Sequence, residues 1–208
     1  MVRRPSGGGD ALKRLFGPIP DGAIHLVIDM QELFRSHPDW GSASLTAIVP
    51  PIQRLLRAKP ENACFSRFIP PQQMDHATGA WRRYYQRWHR VTLDRMNPDL
   101  VNVIEELRPW ERAIVDKSGY SALGNPDFRR RVSESGDRCL VLSGVETDVC
   151  VLSTAMEAMD LGLRVILALD AVTSSSARCH ELALQIVHER FDEQIELVTV
   201  DDILNSWQ

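Results

Sequence analysis

The stretch RCLVLSGVETDVCVLSTAMEAMDLGLRVILALDA, residues 138–171, decides the fold. Residues 138–144 form a short apolar run that ends in a glycine, which is typical of a buried β-strand. Residues 147–161 carry apolar side chains at helical spacing, and residues 164–171 form a second apolar run. Because a strand, a helix and a strand follow one another, the stretch predicts a βαβ unit with both strands parallel in one sheet.

The same alternation continues on both sides of this unit. Further strands are predicted at residues 23–29, 63–68, 112–117 and 194–200. Further helices are predicted at residues 44–58, 124–135 and 177–190, and in the C-terminal VDDILNSW. The alternation is typical of an α/β fold with a mostly parallel sheet of about six strands and helices on both faces. We therefore predict a single domain over residues 21–208, preceded by a flexible tail at residues 1–20.

The composition is that of an ordinary globular protein, with 44% hydrophobic and 25% charged residues and a net charge of -4. The negative charge argues against a nucleic-acid or anionic-membrane partner, and no apolar run approaches the roughly 20 residues of a membrane span. The N-terminal MVRRPSGGGD lacks the apolar region of a secretory signal, and the 4 cysteines form no CxxC pair. We therefore expect a cytoplasmic protein with reduced thiols.

Three chemically capable side chains follow the predicted strands. Asp29 ends the first strand, Lys117 ends the third, and Cys150 comes shortly after the fourth. Ligands of open α/β sheets bind beyond the carboxyl ends of the strands, so the three residues can converge there. A helix start lowers the pKa of a thiol, a carboxylate can take its proton, and a lysine stabilises both charges. Each residue alone also fits a structural role, as a turn cap, a solvated charge or a small buried side chain.

The segment 69–111 interrupts the alternation and holds a dense aromatic cluster. Trp81, Tyr84, Tyr85 and Trp88 follow i, i+3, i+4, i+7 spacing, which places them on one face of a helix. Such a face is typical of packing against a sheet or a partner subunit. The alternative is a wall that faces a substrate.

A family resemblance is carried by three stretches, which are VIDMQELF (27–34), VDKSGYSAL (115–123) and SGVETDVCVLSTAMEAMDLGLRVILALDA (143–171). Together they resemble the isochorismatase-like cysteine hydrolase superfamily, in particular its N-carbamoylsarcosine amidase and ureidoacrylate hydrolase-like branch. The resemblance implies a Rossmann-like three-layer sandwich and a homodimer or homotetramer, with the aromatic helix as a candidate interface. It also implies a catalytic triad of Asp29, Lys117 and Cys150.

The resemblance implies further site residues. The peptide bond between Val145 and Glu146 is expected to be cis, with the N–H groups of Glu146 and Cys150 facing an oxyanion. The region 66–88 resembles a subgroup of cysteine hydrolases, in which Arg67 would bind a substrate carboxylate unless it is a surface arginine. The expected substrate-binding residues are Gln31, Phe34, Arg67, Trp81, Tyr84, Trp88 and Tyr120.

Metal and cofactor motifs are not found in the sequence. Nicotinamidase-like relatives bind a metal through an Asp-x-His pair after the second strand, whereas Asp75 and His76 are adjacent and lie too far along the chain. His89 is interpreted as a surface or packing residue. Cys179 and His180 are also adjacent, so they point to different faces of a helix and make a weak dyad. We therefore expect no metal and no other cofactor, and nicotinamide is disfavoured as a substrate.

The predicted function is metal-independent hydrolysis of the C–N bond of a small amide or ureido compound, through a thioester at Cys150. Two alternatives stay open. One is hydrolysis of an isochorismate-type ether on the same fold, and the other is a non-catalytic or redox role for the thiol.

Overall fold

The computed structural model describes residues 15–207 as a six-stranded parallel sheet with helices on both faces. The strands are β1 (Ile24–Ile28), β2 (Ala63–Phe68), β3 (Ile114–Lys117), β4 (Cys139–Gly144), β5 (Arg164–Val172) and β6 (Ile195–Val198). The helices are α1 (Glu32–Ser36), α2 (Val49–Ala58), α3 (Ala80–Arg87), α4 (Pro126–Glu134), α5 (Leu152–Asp160), α6 (Ala177–Arg190) and α7 (Val200–Ser206). None of these helices has the length and apolar character that a membrane span requires.

The strand order is β3-β2-β1-β4-β5-β6, and every neighbouring pair is parallel. This confirms the predicted fold class, and the all-parallel pairing extends the expectation of a mostly parallel sheet. The chain reverses its winding direction between β1 and β4, because β2 and β3 extend to one side of β1 and the later strands extend to the other. Ligands of doubly wound sheets bind at such a switch point.

Alternate residues of the strands supply two separate cores. Val27 packs in the core that includes α2 and α7, whereas Leu26 and Ile28 pack in the core that includes α4, α5 and α6. The separation follows because successive side chains of a strand point to opposite faces of the sheet. Both faces of β1 are therefore apolar, as is typical of a parallel strand covered on both sides.

The predicted helix at residues 44–58 is divided in two in the structure. Residues Ala43–Ile48 form a 3₁₀ segment, and α2 begins only at Val49. Pro50 and Pro51 occupy the first turn of α2, where a proline loses no hydrogen bond because the first N–H groups of a helix have no partner within it. The proline pair therefore starts the helix and does not kink it.

The predicted N-terminal tail, residues 1–20, lies mostly outside the described residues. Within its last part, Ile19 is fully buried, forms a β-bridge with Trp207 and donates its N–H to the Ser206 carbonyl at 2.8 Å. Packed structure therefore begins before the predicted boundary at residue 21. For residues 1–14 the flexible tail stays a prediction.

The segment between β2 and β3 packs against the carboxyl ends of the strands. It contains α3 and four 3₁₀ turns, and its side chains form two small clusters with residues that follow β1 and end β2. On α3, Tyr85 is buried, while Trp81, Tyr84 and Trp88 are half-buried. The aromatic stripe thus supplies packing with one residue and partly open surface with the other three.

Candidate active site

The carboxyl ends of the central strands bring together the three residues expected there. Asp29 directly follows β1, Lys117 ends β3, and Cys150 lies in a π-helical turn, Thr147–Val151, that connects β4 to α5. The Lys117 Nζ atom lies 2.7 Å from Asp29 Oδ2 and 3.3 Å from Cys150 Sγ. All three residues are buried, at 0% exposure for Asp29 and 5% for both Lys117 and Cys150.

Asp29 is held in place by the neighbouring strand β2. Its N–H donates to the Ser66 carbonyl at 3.2 Å, and the Ser66 hydroxyl donates to Asp29 Oδ1 at 2.6 Å. The backbone of Asp29 has φ 50°, in the left-handed region that residues with a side chain rarely adopt. A strained residue that carries a buried carboxylate at a strand end is typical of a functional site.

Lys117 is held by contacts on several sides. Its ammonium donates to the Gly119 carbonyl at 3.1 Å and lies 5.1 Å from the centre of the Phe68 ring. Together with Asp29 and Cys150, these contacts surround the charge, so the Lys117 side chain has little freedom to move. The structure therefore gives this lysine a buried role in the site and excludes the solvated charge that was the alternative.

The electrostatics of the site differ from the sequence-based expectation of a lowered thiol pKa. Burial raises the pKa of Cys150 well above its ordinary value, the Asp29 carboxylate raises it further, and Lys117 opposes the rise. Burial alone would lower the pKa of Lys117, but the interactions of its ammonium with Asp29 and Cys150 outweigh burial and raise it. The resting site therefore holds a charged Lys117 beside Asp29 and a protonated Cys150 thiol.

The chain between β4 and Cys150 turns tightly against β1. Gly144 ends β4 with φ +110°, and the following Val145 donates its N–H to the Ile28 carbonyl at 2.9 Å. The Val145–Glu146 peptide bond is cis, as the resemblance implied. Among the described residues, the Glu146 N–H makes no backbone hydrogen bond, and it lies at the start of the turn that carries Cys150.

A cavity of about 280 Å³ opens above Cys150. Six of its lining residues are aromatic: Phe34, Trp40, Phe68, Tyr84, Trp88 and Tyr120. The other lining residues are Asp39, Gly41, Glu146, Val149, Cys150 and Ser175. A cavity of this size and composition is suited to a small, partly apolar molecule.

Four of the expected substrate-binding residues line this cavity, and three do not. Phe34, Tyr84, Trp88 and Tyr120 line it. Trp81 instead packs behind Tyr120, at 4.9 Å between ring centres, and faces a second cavity.

Gln31 and Arg67 have structural contacts instead of a place in the cavity. The fully buried Gln31 amide accepts the Phe68 N–H at 2.7 Å and donates to the Phe68 carbonyl at 3.0 Å, which ties the turn after β1 to the end of β2. The Arg67 guanidinium makes two bonds to Asp116, at 2.8 and 2.9 Å, because the two are register partners on β2 and β3. Arg67 is therefore unavailable to a substrate carboxylate.

Three residues of the site were missed by sequence reasoning. Ser66 lies on β2 and is the register partner of Ile28, the residue before Asp29. Strand alternation combined with the position of Asp29 could have indicated that Ser66 lies beside it. Phe68 ends the same strand, so it could have been found, like Lys117, from the expectation that ligands bind beyond the carboxyl ends of the strands. Trp40 lies in an irregular turn, HPDWGS, where no periodicity assigns a side chain to a face.

The Glu146 side chain faces the rim of the cavity. Its carboxylate accepts the Ser175 N–H at 2.9 Å and the Ser175 hydroxyl at 2.7 Å. Burial raises the pKa of Glu146, and the two hydrogen bonds from Ser175 act against the rise. The rim therefore carries a partly buried carboxylate with neutral hydrogen-bond donors.

Within residues 15–207, no group of three or more His, Cys, Asp or Glu side chains is arranged to hold a metal ion. Asp75, His76 and His89 are all exposed. The expectation of a metal-free enzyme stays a prediction.

Cys179 and His180, which were expected to make a weak dyad, contact different residues. His180 Nδ1 lies 2.9 Å from the Thr147 hydroxyl, at the start of the π-helical turn. Cys179 donates its N–H to the hydroxyl of Ser176, the N-cap residue of α6, at 3.3 Å.

Known proteins resemble this chain over most of its length. The isochorismatase domain family matches residues 23–198. Phenazine biosynthesis protein PhzD1 of Pseudomonas aeruginosa is 27% identical over 187 residues, which cover 89% of this chain and 86% of that protein. Nicotinamidase 3 of Arabidopsis thaliana is 27% identical over 164 residues, 78% of each chain. A crystal structure of a cysteine hydrolase from Pseudomonas syringae matches with a TM-score of 0.74 and 26% identity, over 94% of this chain and 96% of that one.

Proposed function

Because the chain belongs to the isochorismatase family, we propose that it is a cysteine hydrolase that cleaves the C–N bond of a small amide or ureido compound. The observation that carries the proposal is the contact of Lys117 with both Asp29 and Cys150, of which Cys150 lines the cavity. The likeness to a plant nicotinamidase and to a cysteine hydrolase supports amide hydrolysis as the reaction class. The N-carbamoylsarcosine amidase or ureidoacrylate hydrolase-like branch stays a prediction.

Cys150 acts as the nucleophile and Asp29 as the general base. Since the resting thiol is protonated and Lys117 contacts both Cys150 and Asp29, the thiol proton moves to the nearby Asp29 carboxylate as Sγ attacks the substrate carbonyl. Lys117 stabilises the negative charge that passes from Asp29 to sulfur, because its ammonium contacts both groups. Proton transfer during attack removes the need for a free thiolate in the resting enzyme.

The tetrahedral oxyanion binds to the backbone N–H groups of Glu146 and Cys150. Both groups belong to the turn that begins after β4, and N–H groups fixed before the reaction stabilise developing charge without reorganisation. The protonated Asp29 then gives its proton to the departing nitrogen, so that ammonia or an amine leaves and a thioester remains on Cys150.

Water completes the reaction. Asp29, again a carboxylate, takes a proton from a water molecule that attacks the thioester, and Cys150 leaves with a proton from Asp29. The balance for a primary amide is one amide and one water converted into one carboxylic acid and one ammonia. No metal is needed for any of these steps in the proposed mechanism.

The proposal is tested with a panel of small amides, ureido compounds and vinyl ethers, with ammonia release and ether cleavage measured separately. Samples quenched early are digested, and mass spectrometry locates an acyl or carbamoyl group on the peptide that holds Cys150. We expect ammonia release, an adduct on Cys150, and a loss of at least about 1000-fold in kcat for Cys150→Ala. The matched control Cys179→Ser, which changes another thiol, retains activity.

Each contrary result has a clear meaning. Ammonia release that survives in Cys150→Ala contradicts the cysteine mechanism. Cleavage of ethers alone favours the isochorismatase-type alternative. A reactive, reversibly oxidised Cys150 with no turnover of either substrate class favours the redox role.

A further inference from the structure

The cavity above Cys150 has the walls of an aromatic box. Trp40 is one of these walls and contacts three of the others: its ring stacks on Phe34 at 5.9 Å with 5° between the planes, and lies 6.0 Å from Phe68 and 5.9 Å from Tyr84. Aromatic rings present negative faces, so a box of this kind attracts a cation that has lost part of its water shell.

The charged groups of the cavity are carboxylates. Neither lysine nor arginine is among its lining residues, whereas Asp39 and Glu146 are. Glu146 is bound by the neutral donors of Ser175, and no described basic side chain forms an ion pair with it. Asp39 contacts Arg90 at 3.3 Å, but the Arg90 side chain is 56% exposed, which makes that pair weak.

Three basic side chains near the cavity make contacts with other groups. The charge of Lys117 is paired with Asp29, and Arg67 is held by Asp116. The exposed Arg87 lies 4.8 Å from the centre of the Trp88 ring, outside the set of lining residues. A substrate carboxylate would therefore meet like charge at Glu146 and find no lysine or arginine among the described residues that line the cavity.

From these observations we infer that the substrate is a compact amide or ureido compound that carries a positively charged nitrogen, as a protonated amine or a quaternary ammonium group. A cation would contact the aromatic box and also offset the Glu146 carboxylate. A neutral substrate would fill the same volume but would take the Glu146 carboxylate out of water with no opposite charge beside it, which costs free energy. The inference rests on the proposed function, since it names the substrate class of the same site.

A matched series of three primary amides separates charge from shape. Trimethylammonioacetamide carries the cation, and 3,3-dimethylbutanamide, with a tert-butyl group in place of the trimethylammonium group, is its neutral isostere. Malonamate carries a carboxylate. Two quantities are measured for each: kcat/KM for ammonia release by the wild-type protein, and the dissociation constant from Cys150→Ala by calorimetry. We expect the cation to have a kcat/KM about 10-fold higher and a dissociation constant about 10-fold lower than its neutral isostere, with the anion the poorest in both.

A pair of variants with the same charge change tests the source of the preference. Glu146→Gln keeps the shape of the side chain and an oxygen for Ser175, and we expect it to remove most of the preference for the cation over its isostere. Glu193→Gln is the control, because Glu193 is exposed just before β6, at the opposite end of the strands. We expect this control to keep the wild-type ratio.

The outcomes distinguish this inference from the proposed function. If the three amides are hydrolysed through Cys150 with equal efficiency, or the anion is preferred, the inference is overturned while the proposed function stands. If neither these amides nor any amide or ureido compound of the panel is hydrolysed, the proposed function fails, and the dissociation constants then decide whether the cavity prefers a cation. Tighter binding of the cation supports a cation-selective cavity, and equal binding of the cation and its isostere overturns it.

Discussion

The Lys117 ammonium lies 2.7 Å from Asp29 Oδ2, and the two side chains are 1% and 0% exposed. A charged pair buried this deeply gains little net stability, since the loss of hydration offsets much of the attraction. Its main effect is local: it places one positive and one negative charge beside the Cys150 thiol, and the two act on that thiol in opposite directions.

Substitution of the two charges is predicted to change the reactivity of Cys150 in opposite directions. Asp29 raises the pKa of the thiol and Lys117 lowers it. Asp29→Asn therefore increases the thiolate fraction at a given pH, and Lys117→Met decreases it. We expect Asp29→Asn to be alkylated by iodoacetamide faster than wild type and Lys117→Met to be alkylated more slowly, with mass spectrometry locating the label at Cys150.

The control for this experiment is Asp116→Asn. Asp116 precedes Lys117, but its carboxylate is half exposed and pairs with Arg67, so the same charge change should leave the rate near that of wild type. Slower labelling in both test variants would contradict the electrostatic assignment. Despite its faster labelling, Asp29→Asn should show no hydrolysis, because the proton acceptor is lost.

Ser66 is predicted to position Asp29 for proton transfer. Its hydroxyl donates to Asp29 Oδ1 at 2.6 Å, and it is fully buried. A hydrogen bond to a charged group contributes about 1.5–3 kcal/mol, so Ser66→Ala should lower kcat by about 10- to 100-fold. KM should change little, because Ser66 is not among the residues that line the cavity.

Rescue by a conservative variant separates positioning from simple packing. Ser66→Thr keeps the hydroxyl and should recover most of kcat. Ser66→Val has the shape of the threonine variant without the hydroxyl, and it should not recover kcat. Equal activity of the threonine and valine variants would show that the hydrogen bond does not matter. Steady-state kinetics on one cleaved amide and thermal melting of each variant provide the measurements.

The fold and the three central residues could be predicted because both depend on order along the chain. Alternating apolar runs determine which segments are strands, and parallel pairing then places Asp29 and Lys117 at one edge of the sheet. Neither step needs the detailed path of a loop. The position of Cys150, between β4 and the helix that follows it, is likewise given by the order of strands and helices along the chain.

The lining of the cavity could not be predicted in the same way. Arg67 has its partner on another strand, and the register that pairs it with Asp116 is set by tertiary packing. Trp40 reaches the cavity through a turn whose path has no period in the sequence. Likewise, the upward shift in the pKa of Cys150 depends on burial, which is a property of the folded chain.

Gly144 is predicted to tolerate no side chain. A Cβ atom there would lie 2.0 Å from the Ile28 carbonyl oxygen, and its φ of +110° disfavours any other residue. Because backbone atoms of β1 cannot move away without breaking the sheet, Gly144→Ala should destabilise the protein by more than about 4 kcal/mol. Soluble yield and the midpoint of thermal unfolding measure the effect.

The matched substitution is Gly136→Ala. Apart from its chain neighbours, no heavy atom of the described residues lies within 4 Å of a Cβ built on Gly136, so the stability of the Gly136→Ala protein should stay within about 0.5 kcal/mol of wild type. A Gly144→Ala protein that melts at the wild-type temperature would refute the close approach of β1 and β4.

His25 is predicted to make the protein sensitive to acid. It is fully buried in β1, with its Nε2 atom 2.8 Å from the Ser143 hydroxyl, and burial lowers its pKa to about 3. An unfolded histidine has a pKa of about 6.5. Between these values the unfolded state binds a proton that the folded state does not, so the free energy of unfolding falls as the pH falls from about 6.5 to about 3.

A non-titrating variant isolates this contribution, because the acid sensitivity of other groups is common to both proteins. Between about pH 7 and about pH 4.5, His25→Gln should lose about 2–3 kcal/mol less unfolding free energy than wild type, as measured by urea denaturation. The glutamine can lower stability at every pH, so only the pH dependence is compared. His89→Gln, at an exposed histidine, should follow the wild-type curve. If His25→Gln follows it too, the buried ring already takes up its proton at the pH of an unfolded histidine, and the burial of His25 in β1 has no effect on its titration.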